Sequence, residues 1–77
     1  MNELIKNINK IHTTILGKQR IKKNLNIDGD VIKYCRNIIL NKNCKIIKKG
    51  KNYYCKIDDI CLTINIYSYT IITARRY

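Results

Sequence analysis

The apolar residues change their spacing once along the chain, and that change limits the folds open to it. Before residue 41 they recur at intervals of three and four, the repeat of a helix buried on one side. From residue 44 they alternate with polar residues, the repeat of a strand covered on one face. Short turn segments cut this second part into four pieces: Lys49-Gly50, Asp58-Asp59 and Tyr67-Ser68-Tyr69. Helices followed by a meander predict an α+β fold, with two to three N-terminal helices packed on one face of a four-stranded antiparallel sheet. A length of 77 residues makes this one domain, 1–77.

In the helical half, Leu4, Ile8, Ile11 and Ile15 follow one another at steps of four, three and four. They predict a first helix with Ile5, His12 and Leu16 beside its apolar stripe and Gly17 as its stop or a bend. A short basic helix over 18–25 turns Ile21 and Leu25 inward. Asp28 is the expected N-cap of the next helix, with Asp30 adding favourable charge in its first turn. That helix reaches Leu40 and presents Val31, Ile32, Cys35, Ile38 and Ile39.

In the sheet half, the strands are expected over 44–48, 52–57, 60–66 and 70–76. A two-residue Asp58-Asp59 loop sets Ile57 opposite Ile60 and Cys55 opposite Leu62. One face then collects Tyr53, Cys55, Ile57, Ile60, Leu62, Ile64 and Ile66. The other collects Asn52, Tyr54, Lys56, Cys61, Thr63, Asn65 and Tyr67, a separation that supports the register. A Lys49-Gly50 loop pairs Cys44 with Cys55 and Ile46 with Tyr53. A three-residue third loop sends Ile72 and Ala74 inward and Thr73 and Arg75 outward, and a two-residue loop inverts this; the first is preferred because it avoids burying Thr73 and Arg75. The polar face has no helix to cover it and is where function is expected.

Charge points to the kind of partner. Lys and Arg number 16 against 5 Asp and Glu, a net +11. On so small a body this gives a surface potential of several kT and favours polyanions: nucleic acid, with RNA favoured over DNA, or an acidic protein. The abundance of Ile, Lys and Asn reflects A/T-rich codons, but codon bias does not account for the scarcity of acids. No stretch approaches the roughly 18 apolar residues of a membrane span, and charges interrupt the N-terminus as no secretory signal allows. A soluble, cytoplasmic protein is expected. Cys35, Cys44, Cys55 and Cys61 contain no Cys-x-x-Cys pair, and the one His lies far upstream, so no metal and no cofactor are implied. Reduced thiols are expected instead, with Cys35, Cys44 and Cys55 serving as small core residues.

On the open face, cations suit phosphates, tyrosines suit bases, and Asn or Thr suit base edges or the 2′-hydroxyl. Lys56, Thr63, Asn65, Tyr67, Thr73 and Arg76 are the candidate nucleic-acid contacts. If the face also cleaves RNA without a metal, it needs a base, an acid and cations for the phosphorane charge. His12, Arg20, Tyr54 and Arg75 are the residues whose chemistry fits: His12 as base or acid, the arginines on phosphate, Tyr54 stacking or donating. The acids Glu3, Asp28, Asp30, Asp58 and Asp59 offer no paired carboxylates. The alternative from another class is a non-enzymatic inhibitor or adaptor that docks on a protein partner.

The segments Ile11-His12-Thr13-Thr14 with Leu16-Gly17, Arg20 to Leu25, Gly50-Lys51-Asn52-Tyr53-Tyr54, and Thr63-Ile64-Asn65 with Tyr67 to Ala74 run through nearly the whole chain. Together they resemble a small bacterial domain of unknown function, family 3781. The resemblance implies no activity. It implies that a His often follows the Thr-Ala pair, where this chain carries Arg75. In topology alone, helices before a basic meander are similar to the ribonuclease toxins of toxin–antitoxin modules, which are neutralised by an acidic partner; a shared topology is weak warrant for function.

Overall fold

The computed structural model describes residues 3–77. It contains α1 (Glu3–Lys6), a 3-10 turn (Ile8–Lys10), α2 (Ile15–Leu25), α3 (Val31–Leu40), then β1 (Lys45–Lys49), β2 (Asn52–Ile57), β3 (Ile60–Asn65) and β4 (Ile71–Arg76). The strands form one antiparallel sheet in the order β1-β2-β3-β4. The α+β arrangement is the one the two hydrophobic repeats predict.

The core lies between the sheet and the helices. Tyr53 and Cys55 of β2, Ile60, Leu62 and Ile64 of β3, and Ile71 and Ala74 of β4 are buried with Val31, Cys35, Ile38 and Ile39 of α3. Leu4, Ile11, Ile21 and Leu25 close it from the N-terminal side. Removing this apolar surface from water, at about 25 cal/mol per Å², is what holds so short a chain together.

The continuous first helix is not formed. Its apolar spacing is interrupted after Lys6, and Ile11 is already extended (ψ 139°). His12 then pairs with Thr70 in a one-residue parallel bridge beside β4: its N–H donates to Tyr69 O, and its carbonyl accepts from Ile71 N–H. An edge strand with unmet backbone groups thus captures a segment that spacing alone assigns to a helix. In consequence Ile15 and Leu16 are 78% and 63% exposed rather than part of a buried stripe.

The remaining helix starts differ for equally local reasons. Helix α2 begins at Ile15, capped by Thr14, whose Oγ1 accepts from Gly17 N–H at 2.9 Å. Gly17 lies in its first turn and is not a stop: a Cβ there would run into Thr13 Oγ1. Helix α3 is capped by Asp30, not Asp28. Asp30 Oδ1 accepts from Lys33 N–H at 3.0 Å, and this bond holds the carboxyl below its ordinary pKa.

The β2–β3 register is as predicted, with Ile57 opposite Ile60 and Cys55 opposite Leu62. The first loop is Gly50-Lys51 rather than Lys49-Gly50. Ile46 therefore faces Cys55, two residues along from the expected pairing. A shift of two preserves which side chains face inward. The last strand is altered by a bulge. Thr63 faces Thr73 and Ile64 faces Ile71, so Ile72 is the extra residue. Ile71 is buried and Ile72 is 51% exposed, the reverse of the expectation for Ile72, whereas Ala74 is buried and Arg75 exposed as expected.

Helix α2 lies along β4 and protects its outer edge. Asn24 Nδ2 donates to Ala74 O at 3.2 Å, and Thr13 Oγ1 donates to Ile71 O at 3.1 Å. β1 is the free edge, and Lys45, Lys48 and Lys49 along it deter pairing with another strand.

Candidate nucleic-acid interface

Cross-strand partners share a face, so the register defines the rows of the uncovered side. One row is Lys45, Lys56, Cys61 and Arg75. The next is Ile47, Tyr54, Thr63 and Thr73, and the third holds Lys49, Asn52 and Asn65. No strand carries an acid on this side. Asp58, in the β2–β3 turn, lines a hollow at its rim with Lys45, Lys56 and Tyr77. Lys45 and Lys56 stand directly opposite each other, an arrangement that costs stability in the absence of a counter-charge.

Tyr54 stands between two hollows. The larger, about 750 Å³, is lined by Ile47, Lys49, Gly50, Lys51, Asn52, Tyr54 and Lys56. The smaller, about 270 Å³, is lined by Tyr54, Lys56, Cys61, Thr63, Arg75 and Tyr77. Asn52 Oδ1 is buried without a hydrogen-bond partner. Of the residues singled out in the sequence, Tyr54, Lys56, Thr63, Thr73 and Arg75 come together here. Lys45, Ile47, Lys49 and Tyr77 belong to the same surface. The alternation in β1 already carries Lys45 and Ile47; Lys49 falls in the expected turn and joins the face because the loop is Gly50-Lys51, while Tyr77 lies past the last predicted strand and has no repeat to reveal it.

Asn65 shares this face but its Oδ1 is engaged, and the other singled-out residues are elsewhere, several of them engaged too. His12 is at the far end of β4, five residues from Arg75 by way of its Thr70 partner, roughly 15 Å along a strand. Both ring nitrogens have partners: Nδ1 is 2.9 Å from Lys10 O and Nε2 is 3.2 Å from Thr70 Oγ1. A carbonyl only accepts, so Nδ1 carries a proton and donates to it. In the neutral ring, Nε2 accepts from the Thr70 hydroxyl. Thr70 Oγ1 is in turn 2.8 Å from Ser68 Oγ. Asn65 Oδ1 accepts from the N–H groups of Tyr67 and Ser68, shaping the β3–β4 turn. Tyr67 is 75% exposed in that turn and lines neither hollow. Arg76 donates to both Asp59 oxygens (3.0 and 3.2 Å) and to Leu25 O, tying β4 to the end of α2.

Arg20 is exposed on α2. It borders a separate groove of about 360 Å³ between α2 and β4, with Thr13, Leu16, Gly17, Asn24 and Ile72 among its walls.

The thiols differ by position. Burial pushes Cys35 and Cys55 up to about 12 and also raises Cys44. Cys61 is half-buried in the cationic row. Among the described residues, no group of three or more His, Cys, Asp or Glu is placed to hold a metal ion, and no helix is long and apolar enough to cross a membrane.

The chain matches the model of a family described as a protein of unknown function, DUF3781, over residues 5–75. It belongs to that family. No curated protein and no solved structure matches it. The family match covers all four strands up to Arg75 and leaves Arg76 and Tyr77 outside.

Proposed function

We propose that this member of the family is a nucleic-acid-binding module, with RNA as its ligand, and that the open face of the sheet is the binding surface. The observation that carries this is the placement of Lys56 and Arg75. Lysines on β1 are explained by its free edge. Lys56 lies on an interior strand and Arg75 on a strand whose edge α2 covers, so edge protection accounts for neither. Both border the smaller hollow with Tyr54, and neither is ion-paired among the described residues. Cations beside an aromatic ring on a sheet are the elements of a surface that holds phosphates and stacks bases.

The test is binding of a fluorescent oligoribonucleotide to wild type and to the double variant Lys56→Gln/Arg75→Gln. The double variant is expected to lose about tenfold in affinity at low salt while its circular dichroism stays unchanged. No binding by wild type, or equal binding by the variant, overturns the proposal. We propose binding without cleavage, because His12 is held away from Tyr54 and Arg75 by its place beside Thr70. The oligonucleotide is expected to stay full length; cleavage lost in His12→Ala would contradict this.

A second reading, docking on an acidic protein partner, is favoured by one observation. Leu16 and Ile72 are exposed beside the groove that Arg20 borders, a mixed apolar and cationic surface. Its mark would be a partner interaction lost in Leu16→Ser/Ile72→Ser while RNA binding is kept.

A further inference from the structure

The smaller hollow has an aromatic ring at each end and cations between them. Tyr54 belongs to the row of Thr63 and Thr73, and the next row toward the C-terminus of β4 is Lys56, Cys61 and Arg75. Tyr77 follows one step further. Its N–H donates to Asp59 O at 2.8 Å, so main-chain pairing continues past Arg76 and holds the last residue against the sheet. By the alternation of strand side chains Tyr77 shares the face of Arg75, and both rings line the hollow. Two strand spacings across and two steps of two residues along separate the two Cα atoms by about 16 Å.

The tyrosines differ in how they are held. Tyr54 is half-buried between its neighbours, which fixes the ring. Tyr77 is 69% exposed, its ring spread over solvent although its backbone is tied. An exposed ring on an anchored residue is available as a stacking platform. A base can lie on such a ring only if it has left its own helix, because a duplex hides base faces in its stack. A sheet surface with rings flanking cations therefore favours a strand with splayed bases over a duplex.

We propose that the ligand is a single-stranded nucleic acid lying along the diagonal from Tyr54 to Tyr77, with one base on each ring and the intervening backbone phosphates on Lys56 and Arg75. This builds on the open face being the nucleic-acid surface, and adds which structural class of nucleic acid it takes and which two side chains select it. Cys61 lies beneath the strand, and its half-buried thiol leaves the backbone room to pass close to the sheet.

The test is fluorescence anisotropy with labelled oligo(U) and oligo(dT) ten-mers and with an RNA duplex of equal length. It uses wild type, Tyr54→Leu, Tyr77→Leu, Tyr77→Phe and Lys56→Gln/Arg75→Gln. Single strands are expected to bind at least tenfold tighter than the duplex, and oligo(U) tighter than oligo(dT); the reverse order overturns RNA as the ligand and leaves the single-strand proposal standing. Tyr77→Leu, a change in a ring that is 69% exposed and outside the core, is expected to weaken single-strand binding about tenfold with its salt dependence intact. Tyr54→Leu is expected to act alike, and Tyr77→Phe to bind as wild type. Equal binding of duplex and single strand, or neutral Tyr→Leu variants alongside a defective Lys56→Gln/Arg75→Gln, overturns the stacking proposal and leaves the surface assignment standing. No binding of any probe, or indifference to the Lys56/Arg75 change, overturns both.

Discussion

Gly17 occupies the first turn of α2 because the Thr13 side chain lies against it while donating its hydroxyl to Ile71 O. Helix propensity favours Ala over Gly by about 1 kcal/mol, yet Gly17→Ala is expected to destabilise the fold by about 1–2 kcal/mol, because Thr13 must shift and lose its bond. Thr13→Ala combined with Gly17→Ala should cost less than the sum of the two single changes, because both lose the same bond, a non-additivity that denaturant melts of the double-mutant cycle would reveal. A glycine at this place looks like a helix stop until the neighbour that needs the space is known. The cysteines make a second residue-scale case. With thiols pushed up to about 12, Cys35 and Cys55 stay protonated and unreactive at pH 8. Iodoacetamide is expected to label Cys61 first in the native protein, as mass spectrometry of timed samples would show, and bound oligonucleotide should slow that labelling. Because these folded-state thiols titrate above their ordinary value of 9.0, their contribution to stability is complete below about pH 9 and is lost as pH rises from there toward 12.

At the scale of elements, the caps and edges decided what spacing could not. Spacing suggests Asp28 as the start of α3, but the helix starts after Asp30, whose carboxylate reaches Lys33 N–H. Its lowered pKa, set first by that bond, makes its contribution fully present above the ordinary carboxylate value of 3.8 and lost as pH falls through the lower folded-state value. Asp30→Asn, which keeps a side-chain acceptor without the titration, is expected to be less sensitive to acid below pH 4 in thermal melts followed by circular dichroism. The first helix shows the opposite limit. Leu4, Ile8, Ile11 and Ile15 have helical spacing, but β4 needs a partner for its outer edge, and residues 11–14 leave the helix to provide it. The β3–β4 bulge similarly exchanges Ile72 for Ile71 at the core. No local pattern announces either event, since both satisfy a strand whose position depends on the whole sheet.

For the whole molecule, the proposed function divides the work: the net charge of +11 would attract a polyanion, and the open face of the sheet would receive it. If Lys45, Lys56 and Arg75 each contact a phosphate, log K should fall with log salt at a slope of about −2 for a single strand. In Lys56→Gln/Arg75→Gln the slope should shrink to about −0.7, and a salt titration of the same anisotropy experiment measures both. The sequence by itself determined the α+β class, the meander, the β2–β3 register and the polar face carrying Tyr54, Lys56, Thr63, Thr73 and Arg75. Tyr54, Lys56 and Thr63 follow from a period-two pattern and a two-residue turn, which are local; Thr73 and Arg75 follow from preferring the third loop that avoids burying them. Only the tertiary structure decided that His12 pairs with Thr70, that Arg76 is taken up by Asp59 and Leu25, and that Tyr77 joins the open face. Those outcomes depend on which distant backbone groups lack partners, and spacing along the chain carries no record of that.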